Sequence, residues 1–124
     1  MIIGTGIDII EVARVAEKVD KDNGFREKVF SKNEIDYCES GGNRAQHYAV
    51  RFATKEAFLK ATGAGLTLGY DLFEIEVLSG DNGRPSVLLH GNFKKLAEKH
   101  GWNKIHVSLS HVPAMACAIV IIEQ

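Results

Sequence analysis

The sequence predicts an α+β fold: a mainly antiparallel sheet with helices packed on it, in one domain spanning residues 1–124. Three observations predict it. Both ends of the chain are strand-like, "MIIGTGIDII" at the start and "KIHVSLSHV" with "AMACAIVIIE" at the finish. The intervening stretch carries helical periodicity. Two pairs of strand-like segments are joined by short turns, and only antiparallel strands can be joined so tightly.

The elements follow in order. A first strand covers Ile2 to Ile9. Val12, Val15, Ala16 and Val19 then fall at the i, i+3, i+4, i+7 spacing of one helical stripe. Ser31 with Glu34 three residues on is a capping-box signature, opening a short helix through Glu39. The stretch "SGGN" (Ser40 to Asn43) breaks the chain, and a long helix runs from Ala45 to Thr62. A glycine-punctuated loop, "GAGLTLG" (Gly63 to Gly69), comes next. "FEIEVL" and "PSVLLH" read as strands around "GDNGR", a hairpin turn centred on Asn82-Gly83. Asn92 is placed to cap the helix "FKKLAEKH", which Gly101 stops. The last two strands form an antiparallel pair turned at Pro113.

Composition narrows the function classes. A chain of 124 residues suits a single domain. It can bury roughly two-thirds of the surface its unfolded chain exposes, so it needs no disulfide staple. A net charge of −1 excludes a global field directed at nucleic acid or membrane, leaving only local patches. Cys38 and Cys117 lie far apart and in no metal spacing, so free thiols are expected. The N-terminus lacks the basic region and cleavage site of a signal peptide. No apolar run approaches the roughly 20 residues of a membrane span. A cytoplasmic protein is expected.

Several polar residues do not fit the apolar pattern. Asp8 lies between Ile7 and Ile9 where a strand enters the core, so it must be exposed, paired, capping a helix or bound to a metal. In "RFATKEAFLKA" (Arg51 to Ala61) apolar side chains go nearly all the way round, yet charges form two islands. Arg51 and Lys55 stand one turn apart on one side. Glu56 and Lys60 stand one turn apart on another. The plain alternatives are a solvated face for the first pair and a surface Glu–Lys pair worth roughly 0.3–0.5 kcal/mol for the second. The functional alternative for Arg51 and Lys55 is a shared anion. Two carboxylates, several cations and a glycine-rich loop permit a Mg²⁺–phosphate site, since Mg²⁺ takes one or two carboxylates plus substrate phosphates. No His/Cys set for zinc, GxxxxGK[ST] or GxGxxG occurs.

"GIDIIEVARV" and "RFATKEAFLKA", with "NGRP" in the hairpin and "HVSLSH" before the last strand, resemble the bacterial holo-acyl-carrier-protein synthases, the short-chain 4′-phosphopantetheinyl transferases. The resemblance covers essentially the whole chain, with "SGGNRAQHY" (Ser40 to Tyr48) the more divergent segment. It implies transfer of phosphopantetheine from coenzyme A to a serine of apo acyl-carrier protein, releasing adenosine 3′,5′-bisphosphate, in support of fatty acid biosynthesis. It implies Asp8 and Glu56 as Mg²⁺ ligands, Lys60 on the pyrophosphate, and Glu56 as the candidate base through a metal-bound water. Arg51 would meet another phosphate, the 3′-phosphate, with His106 and Ser108 nearby, while Lys55 supports the helix. Gly63 and Gly65 would allow close approach of the cofactor, joined by Asn82, Gly83, Arg84 and Pro85. It also implies a homotrimer with each active site in a cleft between subunits. Arg14, Lys18 and Lys21, at i, i+4 and i+7 on the first helix, are candidates to receive the acidic carrier protein. His111 reads as a hydrogen-bonded strand-end histidine. The competing readings are a Mg²⁺-dependent nucleotide hydrolase and a non-enzymatic nucleotide- or RNA-binding module; on the favoured reading neither nucleic acid nor membrane is a partner.

Overall fold

All strand pairing among the described residues is antiparallel, in two sheets. The structure is a computed structural model that describes residues 1–64 and 69–124. β1 (Ile2–Glu11) leads into four helices, α1 (Val12–Asp20), α2 (Phe25–Val29), α3 (Lys32–Glu39) and α4 (Arg44–Thr62). A 3₁₀ turn (Leu72–Glu74) precedes the hairpin β2 (Ile75–Ser79) and β3 (Pro85–Leu89). α5 (Gly91–His100), β4 (Lys104–His111) and β5 (Met115–Glu123) complete the chain. β5 lies between β1 and β4, and α4 lies across β1 and β5.

The three-stranded sheet is two-sided. Its inner face, toward α4, buries Gly6, Ala116, Ala118, Val120 and Ile122. Because side chains alternate along a strand, the intervening residues point the other way. There Ile7 is 66% and Ile9 67% exposed, with Ile3 and Ile119 also open. α4 joins two core clusters. Its first half packs Tyr48, Ala49, Val50 and Phe52 with Val12, Val15 and Val19 of α1. Its second half packs Ala57, Phe58 and Leu59 with Ile75, Phe93 and the inner face of β5. Each valine, leucine, isoleucine or phenylalanine among them taken fully from water contributes about 1.5–3 kcal/mol. That explains a helix apolar on nearly all sides. No helix among the described residues is long and apolar enough to cross a membrane.

Local expectations and structure agree at several ends. The Ser31–Glu34 capping box is complete, with Ser31 Oγ accepting from Glu34 N at 3.2 Å and Glu34 Oε1 from Ser31 N at 2.9 Å. Gly101 ends α5 in the left-handed conformation. Cys38 and Cys117 are free thiols.

Three details differ. α2 is absent from the sequence reading, because five residues are too few to show a period. The hairpin turn is centred on Asp81-Asn82, not on Asn82-Gly83. Gly83 N donates to Gly80 O at 2.8 Å, and Gly83 takes the following left-handed position at φ 73°. That is the geometry of a three-residue hairpin loop. Asn92 does not cap α5, whose cap position is His90. Instead Glu74, from the 3₁₀ turn, accepts from Phe93 N at 3.2 Å, placing a negative charge at the helix N-terminus.

Candidate active site

β1 and α4 bring Asp8, Glu56 and Lys60 together. The strand pleat aims Asp8 at α4 alongside Gly6, and Glu56 and Lys60 lie one helical turn apart. Lys60 Nζ donates to Asp8 Oδ1 at 3.0 Å and to Ile7 O at 2.9 Å. Lys60 therefore reaches across to the strand instead of forming the surface pair with Glu56. The Asp8 side chain is only 16% exposed. Glu56 is half-buried and has no hydrogen-bonded partner among the described residues. Burial, then the neighbouring Asp8 charge, raises its pKa above the ordinary carboxylate value, while Lys60 and Lys18 oppose the shift. Both carboxylates line a cavity of about 340 Å³ together with Arg14, Lys18, Phe52 and Met115. Lys18 Nζ lies 5.8 Å from the ring centroids of both Phe25 and Phe52.

Arg51 leaves α4 on another side. Five residues separate it from Glu56, about 140° around the helix axis at 3.6 residues per turn. It is buried, with Nη2 donating to Ser79 Oγ at 3.1 Å, Nη1 to His47 O at 3.4 Å, and its guanidinium 4.3 Å from the Tyr37 ring centroid. Its Nε is buried without a hydrogen-bonded partner among the described residues. Arg51 lines a second cavity of about 290 Å³ with Gly83, Pro85 and Ser108, and also with Tyr37, His47, Ser79 and His111. These last four escaped the sequence reading as site residues. His111 is indeed a hydrogen-bonded strand-end histidine, its Nδ1 2.6 Å from Gln46 Oε1, yet it also lines this cavity. Burial, Arg51 and His111 together lower the pKa of His47.

The other expected residues are dispersed. Lys55 and Arg51 share no anion. Lys55 is wholly buried, with Nζ 2.8 Å from Glu34 Oε1 and donating also to Leu72 O at 3.1 Å and to Ile75 O. Its role is structural, as the resemblance implied. Burial lowers its pKa and Glu34 opposes that shift. His106 is not among the lining of the Arg51 cavity, because its outward side chain is engaged 2.5 Å from Glu123 Oε1 on the adjacent strand. Asn82 and Arg84 stand exposed in the hairpin, outside the cavity lining. Gly63 caps α4 in the left-handed conformation, and Gly65 lies outside the described residues. Lys21 separates from Arg14 and Lys18: it pairs with Glu17 at 3.8 Å and lines a different, polar cavity with Arg26 and Arg44.

The donor set suits Mg²⁺. Asp8 and Glu56 offer hard carboxylate oxygens at one cavity, one of them without a hydrogen-bonded partner among the described residues and destabilised by burial and the other's charge. No group of three or more candidate ligands occurs among the described residues. Two carboxylates are what Mg²⁺ takes when water and phosphate complete its shell.

The family model of the 4′-phosphopantetheinyl transferase superfamily matches residues 4–120. The chain belongs to this superfamily. Like other phosphopantetheinyl transferases it is an enzyme. A holo-[acyl-carrier-protein] synthase of Clostridium kluyveri is 44% identical over 123 residues, covering 99% of this chain and 91% of that one. The crystal structure of the Neisseria meningitidis holo-[acyl-carrier-protein] synthase superposes with a TM-score of 0.90 at 27% identity, covering both chains completely. The Helicobacter pylori synthase in complex with coenzyme A gives 0.84 at 27% identity, covering 96% of this chain and 99% of that one.

Proposed function

We propose that the chain transfers 4′-phosphopantetheine from coenzyme A to a serine of apo acyl-carrier protein, with Mg²⁺ held by Asp8 and Glu56. The observation that carries this is that Asp8 and Glu56 line one cavity while Lys60 donates to Asp8 Oδ1. In the reaction, the serine oxygen forms a bond to the 4′-phosphate phosphorus. The bond from that phosphorus to the bridging pyrophosphate oxygen breaks, and adenosine 3′,5′-bisphosphate leaves. When bound, Mg²⁺ neutralises charge developing on the pyrophosphate oxygens. Lys60 adds a cation where that charge grows. Glu56 is the group to accept the serine proton: it faces the cavity, and no protein group among the described residues occupies its carboxylate. Arg14 and Lys18, which line the same cavity, are the cations to receive the acidic carrier protein. Arg51, its buried Nε without a hydrogen-bonded partner among the described residues, is placed for the 3′-phosphate.

A homotrimer with shared sites belongs to the same reading. The Arg51 and Glu56 cavities open on different sides of α4, so one coenzyme A can more readily span two neighbouring subunits. The apolar outer face of β1 and β5 supplies a surface for assembly. Two free thiols suit a reducing, cytoplasmic setting. Incubation with coenzyme A, Mg²⁺ and apo carrier protein tests the function, with intact-mass analysis of the carrier. A phosphopantetheine adduct, dependent on Mg²⁺, is expected. Coenzyme A hydrolysis without an adduct would sink the proposal.

A further inference from the structure

We infer that Gly6 is a positioning residue for the transfer: its missing side chain sets the gap between Asp8 on β1 and Glu56 on α4. The inference rests on the metal–phosphate reading of the Asp8 cavity. A Cβ built on Gly6 would lie 1.9 Å from Ala57 O and 2.8 Å from Ala61 N. One on Gly4 would lie 1.9 Å from Ala61 O. At this point strand and helix touch backbone to backbone, with no room for any side chain.

The contact adjoins both carboxylates. Asp8 is two residues from Gly6 on the same face of the strand, and Glu56 immediately precedes Ala57. The Lys60 contacts to Ile7 O and Asp8 Oδ1 span the same gap. Real Cβ atoms essentially never come within 3.0 Å of such neighbours, so moving from 1.9 Å to that limit requires at least 1.1 Å of backbone separation. The neighbouring atoms are main chain and cannot rotate away. Mg²⁺ holds oxygens at about 2.0–2.1 Å with near-ideal octahedral geometry, so it tolerates little of this displacement. Glycine in a strand interior forgoes a packed side chain and weakens the strand. Here that loss lets the strand that carries Asp8 lie backbone to backbone against the helix that carries Glu56.

The test uses the whole chain with coenzyme A and Mn²⁺ as the divalent probe, followed by electron paramagnetic resonance without acceptor, and measures transfer to apo carrier protein in a separate assay. Gly6→Ala should weaken Mn²⁺ binding about tenfold or more and lower kcat roughly 10²-fold, the scale of a 1 Å misplacement. Coenzyme A binding in EDTA, read by calorimetry, should stay within about twofold, because the Arg51 cavity lies on another side of the helix. Asp8→Glu supplies a carboxylate one methylene longer. It should weaken Mn²⁺ binding in the wild-type background and partly restore it in Gly6→Ala. A folded Gly6→Ala with wild-type Mn²⁺ affinity overturns the inference, as does Asp8→Glu being equally harmful in both backgrounds. If Gly6→Ala does not fold, Gly4→Ala should show a smaller loss of the same sign, and unchanged affinity there overturns it too. A wild-type protein that binds no Mn²⁺ at all would instead sink the metal reading, and this inference with it.

Discussion

Asp8 and Lys60 are each other's nearest charge, so removing either affects more than one contact. Asp8→Asn and Glu56→Gln should each lower transfer roughly 10³-fold or more, since a bound metal ion supplies several kcal/mol of transition-state stabilisation. Circular dichroism should show both folded, and near-normal turnover of either at low Mg²⁺ would contradict the assignment. Lys60→Ala should cost roughly 10²–10³-fold in kcat, the scale of one lost charge-stabilising donor. The buried Lys55–Glu34 pair predicts a different readout. Lys55→Met leaves Glu34 charged and unpaired, costing about 3–5 kcal/mol. Adding Glu34→Gln should recover part of that, because the amide oxygen can still accept from Val77 N as Glu34 does at 3.0 Å. Urea unfolding of the single and double variants decides it; a double variant no more stable than Lys55→Met would refute the account.

α4 carries Arg51 and Lys55 on one side and Glu56 and Lys60 on another, and Arg51, Lys55 and Lys60 each reach a different element. Arg51 ties it to the β2–β3 hairpin through Ser79. Arg51→Ala should therefore weaken coenzyme A binding roughly tenfold or more, in line with about 1.5–3 kcal/mol for a charged hydrogen bond. The wild type should bind 3′-dephospho-coenzyme A less tightly than coenzyme A, and the variant should lose that preference. Equal discrimination by both would move the 3′-phosphate elsewhere. Much of this was legible in the sequence. Spacing exposed the two charge islands, and Asp8 stood out because a carboxylate between isoleucines demands a partner. Ser31 and Glu34 announced a helix start through a purely local pattern. The same pattern hid the second role of Glu34, since a cap residue gives no sign of a lysine 21 positions away. Tyr37, His47, Ser79 and His111 come from four separate elements, so no spacing could group them. Asn92 lost its expected role because Glu74, distant in sequence, reaches the same helix end with a full charge.

In the whole molecule the three-stranded sheet carries Asp8 on its α4 side and exposed isoleucines on the other. If the apolar side assembles three chains, Asp8→Asn and Arg51→Ala, assayed at a coenzyme A concentration too low for Arg51→Ala to turn over, should regain partial activity when co-assembled. No recovery in verified mixed trimers would argue for sites confined to one chain. Thiol labelling gives a second check. Burial pushes the pKa of Cys38 up to about 12, so its thiol should be unreactive in the folded protein near pH 8. Cys117 pairs with Ile9 on the outer face of the sheet. It should be protected in the assembly and labelled when dilution dissociates it. Rapid labelling in the intact oligomer would show that this face lies outside the interface. The alternation Ile7, Asp8, Ile9 also bears on which length changes the chain can absorb. A one-residue insertion between Gly6 and Asp8 would reverse every later side chain of β1. It would turn the carboxylate outward among the isoleucines and push an isoleucine toward Glu56. Such an insertion should abolish activity and assembly together, whereas the exposed Gly41-Gly42 turn has open space around it and should accept an added residue with neither lost.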